Sequence, residues 1–275
     1  FNQKDELVLG NKSSIPIMAV HMADNYTIFS YKFGENKPLK INSTYTIPWA
    51  PPKLPFLVHD CKRIKENYFI FPLMSSGIGK FYEYFQKKID MPLDDKSDKA
   101  GWLLYNSQDN TCNEIKIDEY ADIFHIADIK HIYGNLYKIY APFVYNFPIW
   151  MSGKGDLIIR LKECIIDIEQ KKVIQTIDTG LKMDFIHTLG NELIGSCLDD
   201  KPAIIKYNMV TKDHVKLNLP GDIVREIIPY EDYLLYFSHA SNNSSLYIVN
   251  ITNGDVINKI EVPHRLPGFH TTLFD

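Results

Sequence analysis

The sequence predicts an all-β protein, and three observations support that prediction. Short runs rich in Ile, Val, Tyr and Phe recur along the chain, Gly, Asn, Asp and Ser lie between them, and helical periodicity is scarce. Of the 275 residues, 45% are hydrophobic and 13% aromatic, which is enough for the core of one large domain. We therefore expect a single domain over residues 1–275, built as a sandwich, barrel or propeller.

The predicted strands are about five to eight residues long, as is typical of globular sheets. They cover residues 26–33, 68–73, 136–143, 156–161, 203–207, 233–238, 245–251 and 256–262. Turns are predicted at 34–36, 107–110, 241–244 and 252–255, and the last of these would close a β-hairpin. Residues 79–88 are a candidate for a short helix, and 91–99 for a charged loop. We find no clean sequence repeat.

Charge and cysteine content exclude several classes of protein. Charged residues make up 23% of the chain and the formal net charge is -4, which argues against a nucleic-acid partner. The four cysteines are far apart and form no CxxC pair, so a zinc site built on them is not expected. Their sparseness favours a reducing compartment and hence a cytoplasmic location. No apolar run reaches the roughly 18 residues that span a bilayer, so any membrane contact would be peripheral.

Four of the nine histidines stand out by their local sequence. His59 follows an apolar run, precedes Asp60 and is followed by a polar turn and a second strand. His125 also follows apolar residues, and His270 follows Pro, Gly and an aromatic residue near the end of the chain. His21 lies between an apolar run and a predicted strand. Each histidine taken singly is most simply a surface or core residue, whereas together they suggest a metal site.

Four imidazoles from four distant segments are what a metal at the axis of a propeller requires. Neutral imidazole suits Fe, Zn, Cu and Ni by softness alone. A set of four nitrogens without a carboxylate is unusual for zinc and differs from the iron site of two histidines and one carboxylate. In an octahedral iron site this set leaves two positions for dioxygen or substrate.

The segments around these histidines resemble those of one known family. The run HDCKRIKENYFIFP, which begins at His59, is similar to the signature of the carotenoid cleavage oxygenases. In that signature, His-Asp-Phe leads to Thr-Glu-Asn-Tyr and an apolar strand. The closing segment LPGFHTTLFD resembles the Gly-Phe-His-Gly of the last iron ligand, and IFHIADIKH resembles the segment of the third. AVHMADNYTIFSYKF fits the first-ligand segment. The order of the four segments matches, as does the step of 66 residues from His59 to His125.

This resemblance implies a β-propeller of the seven-bladed type, in shortened form and lacking the usual N-terminal part. It implies Fe(2+) on His21, His59, His125 and His270. The segments MDFIH and IVREIIPYEDYLLYF resemble those of the family's outer carboxylates, which implies that Asp184 and Glu226 orient ligand imidazoles. The implied activity is that of an Fe(II) dioxygenase. Such an enzyme cleaves a conjugated carbon–carbon double bond of a carotenoid, apocarotenoid or stilbene-like substrate into carbonyl products.

An elongated apolar substrate requires an aromatic tunnel. The candidate lining residues, each of which could equally be plain core, are Phe56, Phe124, Tyr145, Phe147, Trp150 and Phe269. The sequence departs from the family at Cys61, at Ala127-Asp128 and at Thr271, where Phe, Asn-Ala and Gly are usual. Two alternatives therefore stay open: a diverged member without activity, and a metal-free propeller or sandwich that binds another protein.

Overall fold

The chain is almost entirely β-structure. The computed structural model describes residues 17–22, 25–34, 37–48, 60–73, 99–147, 155–197, 201–221, 224–239 and 243–262. These residues form twenty β-strands and no helical element, which confirms the all-β prediction. No helix within them is long and apolar enough to cross a membrane. The predicted helix at 79–88 and most of the loop at 91–99 lie outside the described residues.

The strands form five sheets. A three-stranded sheet contains β1 (Ile17–Met22), β2 (Asn25–Gly34) and β3 (Lys37–Ile47) in chain order. The next contains β4 (Lys62–Lys65), β5 (Tyr68–Leu73), β6 (Lys99–Asn106) and β7 (Thr111–Tyr120), also in chain order. The third contains β8 (Asp122–Ile123), β9 (Asp128–Tyr133), β10 (Leu136–Tyr145), β11 (Ile158–Asp167) and β12 (Lys172–Asp178), in the order β12-β11-β10-β8 with β9 also paired to β10.

Two further four-stranded sheets complete the described chain. One contains β13 (Met183–Leu189), β14 (Glu192–Cys197), β15 (Ala203–Asn208) and β16 (His214–Asn218). The other contains β17 (Val224–Tyr230), β18 (Tyr233–His239), β19 (Ser244–Asn250) and β20 (Val256–Val262). Both follow chain order, as expected for antiparallel strands joined by hairpins.

The chain divides into two compact units, each with its own core. The first contains the described residues of 1–158 and 162–177, and the second those of 159–161 and 178–273. In the first unit, the two central strands of the β4-to-β7 sheet, β5 and β6, are buried on both faces. Ile70, Trp102 and Leu104 belong to one buried cluster, and Phe69 and Leu103 to another. A strand that is buried on both faces reads as a continuous apolar run, which is why YFIFPL was readily recognised from the sequence.

The core of the second unit is built from β14 to β19. Ile194, Ile204, Ile227, Leu234 and Val249 are all completely buried in it. The strands β13 and β17, each the first of its sheet, lie next to each other within this unit. The expectation of a single domain over 1–275 concerns the whole chain and stays a prediction.

The four larger sheets share one pair of hairpins that the sequence does not display as a repeat. The first hairpin turns at 66–67, 134–135, 190–191 and 231–232. The second, between the last two strands, follows an Asn or Asp at positions Asn106, Asp167, Asn208 and Asn250. The residue after each of these donates its backbone N–H to the carbonyl of the second turn residue of the first hairpin. These bonds are 107 to 67 at 2.8 Å, 168 to 135 at 3.1 Å, 209 to 191 at 2.9 Å and 251 to 232 at 2.9 Å.

We call this pair of linked hairpins the clasp. In each clasp, the residue four positions after the Asn or Asp has positive φ: Asn110 (56°), Lys171 (54°), Lys212 (68°) and Gly254 (80°). The Asn or Asp side chain accepts backbone N–H groups of the turn, for example those of Val210 and Thr211 at Asn208, at 2.9 and 3.1 Å. An Asx side chain that satisfies turn amides is a usual reason for Asn and Asp at such positions. The clasp therefore fixes one end of every larger sheet in the same way.

Candidate metal centre

Four candidate residues of the sequence analysis lie in, beside or just before the first strands of the clasped sheets, away from the clasp. His59 comes just before β4, and His125 lies between β8 and β9. Asp184 and Glu226 lie in β13 and β17. In the last three sheets, strand pairing is irregular at or beside the candidate residue. Bulges and breaks of this kind are common near functional sites, because they redirect a side chain out of the regular pleat.

His125 lies in a break between two short stretches of strand pairing. Residues 122–123 pair with β10 at Val144 and Phe143, and pairing resumes at Asp128 opposite Tyr140. The break is nevertheless fixed, because the N–H of Ala127 donates to the carbonyl of Tyr140 at 2.8 Å. Ile126 and Ala127 are buried in the core, whereas His125 is half-buried. A ligand imidazole on a backbone fixed in this way would start from a defined position.

Asp60 links the segment of His59 to the segment of His125. Its Oδ1 accepts the N–H of Cys61 at 2.7 Å, and its Oδ2 accepts the N–H of Ile126 at 2.7 Å. A second contact joins the same segments, since Lys62 Nζ lies 3.5 Å from the carbonyl oxygen of Ala127. Two candidate ligand segments are thereby brought together through their neighbours. The sequence analysis assigned no contact to Asp60, although its position directly after His59 was the available signal.

Aromatic side chains lie beside this break. The rings of Phe124 and Phe147 meet edge to face, with centroids 4.8 Å apart and planes at 76°. Tyr145 is half-buried, and its hydroxyl donates to Glu119 Oε1. These are the three described members of the predicted lining set. Phe56, Trp150 and Phe269 lie outside the described residues.

A buried ion pair lies beneath Tyr145, and sequence reasoning did not find it. Lys162 Nζ lies 2.5 Å from Glu119 Oε1, with the two side chains only 9% and 26% exposed. The ammonium also lies over the rings of Phe143 and Tyr145, at 5.4 and 5.6 Å from their centroids. Such a cation is favourable only while its carboxylate and aromatic partners stay in place. The pair therefore links the end of β7 to β10 and β11 below the aromatic residues.

Asp184 lies at a β-bulge in β13. It pairs with Ser196, and regular pairing resumes at His187 opposite Ile194, so two residues of β13 face Gly195 alone. Phe185, the first of the two, has φ of 46°, a region that aromatic residues rarely occupy. The hydroxyl of Ser196 donates to the carbonyl oxygen of Asp184 at 3.0 Å. Local backbone geometry thus determines the direction of the half-buried Asp184 side chain.

Gly195 permits this bulge. A Cβ at Gly195 would lie 2.9 Å from Ile186 Cγ1 and 3.0 Å from the carbonyl oxygen of Asp184. Glu226 lies at a related position in β17, where Val224 pairs with Ser238 and pairing resumes at Ile227 opposite Tyr236. Arg225 and Glu226 therefore face Phe237 alone. Both predicted outer carboxylates are thus associated with a bulge in the first strand of a sheet.

The other three predicted iron ligands lie wholly or partly outside the residues that the structure describes. The backbone of His21 lies in β1 and pairs with Tyr26, while its side chain lies outside the described part. His59 and His270 lie outside the described residues. Within the described residues, no three His, Cys, Asp or Glu side chains form a group that could hold a metal ion. The convergence of the four histidines therefore stays a prediction.

Two of the sequence departures from the family are accommodated by packing. Cys61 packs against the cluster that contains Phe69 and Leu103, and burial raises the pKa of its thiol well above the usual value. A neutral thiol behaves there as a small apolar group. Ala127 is buried, and Asp128 forms an ion pair with Lys130 at 2.8 Å. Thr271 lies outside the described residues.

Comparison with solved structures identifies the fold. A point mutant of apocarotenoid oxygenase from Synechocystis superposes with a TM-score of 0.58 at 17% identity, over 91% of this chain and 58% of that one. An ACO/RPE65 chimera matches with a TM-score of 0.55 at 16% identity, over 88% and 59% of the two chains. Cobalt-substituted ACO from Synechocystis matches with a TM-score of 0.56 at 16% identity, over the same shares.

The chain thus spans less than two thirds of the length of these solved structures. No protein-family model matches the sequence. No characterised protein matches it by sequence either. The likeness is therefore one of fold, and it agrees with the segment order found in the sequence. The chain has the fold of the apocarotenoid oxygenases, which confirms the predicted class of carotenoid-oxygenase β-propeller.

Proposed function

We propose that the chain is a non-haem Fe(II) dioxygenase that cleaves a conjugated carbon–carbon double bond of a carotenoid, apocarotenoid or stilbene-like molecule into two carbonyl products. The observation that carries the proposal is the fold shared with apocarotenoid oxygenases over 91% of this chain. The fixed, half-buried position of His125 in the break between β8 and β9 supports it independently. The proposed ligands are His21, His59, His125 and His270.

The protein's own residues would act by binding and orienting. The iron would supply dioxygen activation. Asp184 and Glu226 would accept hydrogen bonds from ligand imidazoles, which fixes the tautomer and direction of each ring. Phe124 and Phe147 would contact the apolar substrate and exclude water beside His125. No side chain is required as a general acid or base.

The test is a product assay on protein reconstituted with iron. Iron-loaded chain is incubated under oxygen with panels of apocarotenoids and stilbenes, and aldehyde products are identified by mass spectrometry. His125→Ala should abolish any product. The matched control is His131→Ala, because His131 is exposed and its Nε2 lies 3.0 Å from the carbonyl oxygen of Gly134 in the adjacent hairpin. Equal product from both variants would contradict the assignment of His125.

A second candidate is a diverged member of the same fold without activity. One observation favours it: Cys61 and Ala127-Asp128 depart from the family pattern. This candidate would not cleave any substrate of the panels under oxygen, whether or not it binds iron. Full iron occupancy without any product would therefore support it over the enzyme.

A further inference from the structure

We infer that Asp60 is a positioning residue that holds the start of β4, which directly follows His59 in sequence, and the backbone at Ile126, which directly follows His125, in one fixed arrangement. The inference rests on the proposed function, because these histidines need a fixed arrangement only if they bind iron. The contact itself is seen directly. One carboxylate accepts backbone N–H groups from Cys61 and Ile126, both at 2.7 Å, across 66 residues of sequence in the second case.

The geometry makes Asp60 a joint between the two segments. Asp60 follows His59 in sequence, and Ile126 follows His125, so each hydrogen bond lies one residue from a proposed ligand. Ile126 is buried in the core, and the carbonyl of Tyr140 binds the next N–H, that of Ala127. The Asp60 bond therefore joins a fixed point of the break to the start of β4. Movement of one segment relative to the other would require this bond to break.

An ionised carboxylate is the side chain suited to this role. It has two acceptor oxygens, and each binds one of the two N–H groups. An asparagine has one acceptor oxygen, which could still accept the Ile126 N–H, so Asp60→Asn would not necessarily break the joint. Asp60→Ala has no acceptor and should therefore release the Ile126 N–H.

The experiment compares Asp60→Ala with Asp167→Ala in the full chain. Asp167 is a matched control, because its Oδ1 also accepts two backbone N–H groups, those of Glu169 and Gln170, both at 2.9 Å, but in a clasp. Two readouts are taken. The first is amide hydrogen exchange at Ile126 in the metal-free chain, and the second is affinity for Fe(II) and Co(II) by chelator competition.

Asp60→Ala should speed exchange at Ile126 and weaken metal binding 10–100-fold, the usual effect of removing an outer partner of a metal site. Asp167→Ala should leave both readouts at wild-type values even where it lowers the unfolding temperature. Unchanged Ile126 exchange in Asp60→Ala, or wild-type metal affinity in that variant, overturns the inference. A wild-type chain that binds neither metal contradicts the proposed function instead, and the exchange measurement then still decides whether Asp60 holds the two segments together.

Discussion

The two ends of the clasped sheets are built on opposite principles. At the clasp end, four sheets use the same two hairpins, the same interhairpin hydrogen bond and the same positive-φ position. At the other end, three of the first strands are interrupted, one by a break and two by bulges. His125 lies in a break, Asp184 precedes a bulge, and Glu226 lies within another bulge.

The difference separates what the fold requires from what a site requires. A repeated local solution indicates that every sheet needs the clasp for its own stability. Irregular strands lose regular pairing, and proteins retain such features mainly where they serve a function. The candidate site should therefore depend on contacts that occur once, and the clasp on contacts that occur four times. The predictions below test that distinction, beginning with the largest effect.

Removal of the carboxylate at Glu119 should be the most costly change. In Glu119→Gln, the Lys162 ammonium, whose side chain is 9% exposed, loses its charged partner, so we expect a loss of about 3 kcal/mol in the free energy of unfolding. Glu114→Gln is the control, because Glu114 pairs with an exposed Lys116 and should cost less than about 1 kcal/mol. Urea titration measures both. Equal losses would mean that the ion pair near the site is no different from a surface pair.

A methyl group at Gly195 should have the next largest effect. The added Cβ would crowd Ile186 and the Asp184 carbonyl, so Gly195→Ala should destabilise the chain by about 1–3 kcal/mol through overpacking. Gly190→Asn is the control, because Gly190 has φ of 59° and open space, and Asn tolerates that conformation. A neutral Gly195→Ala in thermal unfolding would show that the bulge at Asp184 adapts easily and is not a fixed feature.

One clasp should contribute less, and independently of the others. Asn208→Ala removes the acceptor for two turn amides and should cost about 1 kcal/mol. Asn250→Ala in the next sheet should cost about the same, and the double variant about the sum, since the two clasps share no partners. Neither should change metal affinity. A loss of metal binding in Asn208→Ala would break the distinction between the two ends.

The smallest effect concerns Cys164, which lies in the core of the first unit. Burial raises the pKa of Cys164 from 9.0 to about 12. Between pH 9 and about 12, the folded chain therefore retains the thiol proton while the unfolded chain loses it. The contribution of Cys164 to the free energy of unfolding is complete below pH 9 and is lost as pH rises towards 12. Between pH 8 and 9.5 the wild type should lose about 0.8 kcal/mol more than Cys164→Ala. If the free energy of unfolding changes equally with pH in the wild type and in Cys164→Ala, the thiol of Cys164 does not have a raised pKa.

Much of the strand structure was predictable, because strands buried on both faces read as apolar runs. Residues 68–73 were predicted with their observed bounds for this reason. Residues 256–262 were also predicted with their observed bounds, although the side chains of 256–261 are exposed, because a turn and a preceding strand indicated a hairpin. Strand β7 was not predicted, since its charged residues alternate with the buried Ile115 and Ile117. The hairpin predicted at 252–255 begins one residue earlier, because Ile251 leaves the strand and its N–H joins the clasp.

The repeat itself could not be predicted from the sequence. The position before the second hairpin of a clasp is Asn or Asp, but the first turn position and the positive-φ position vary among Gly, Glu, Asn and Lys. The connections between the second and third strands of the sheets also differ greatly in length. The structure also changes the meaning of one motif. Glu66-Asn67, part of the run that resembled the family signature, is the first turn of a clasp, equivalent to Gly134-Asn135 and Gly190-Asn191. That part of the resemblance reports the fold rather than the chemistry.

The candidate site was only partly accessible to sequence reasoning, because its supports are long-range. The break at His125 depends on Asp60, which lies 66 residues from the Ile126 amide that it binds. The bulge at Asp184 depends on Gly195 in the neighbouring strand. No local sequence pattern around His125 or Asp184 predicts the contact with Asp60 or with Gly195. The histidines were predicted as ligands because the segments around them are distinctive. The residues that support these segments were missed because their own local sequence is not distinctive.

Iron stoichiometry in ligand variants tests the central claim most directly. The full chain is reconstituted anaerobically with Fe(II), desalted and analysed for metal per chain in the wild type, His59→Ala, His125→Ala and His131→Ala. We predict about one iron per chain in the wild type and in His131→Ala, and sharply reduced occupancy in the other two, because the proposed site has only four imidazoles as protein ligands. Full iron retention in His59→Ala or His125→Ala, or no iron in the wild type, would contradict the account.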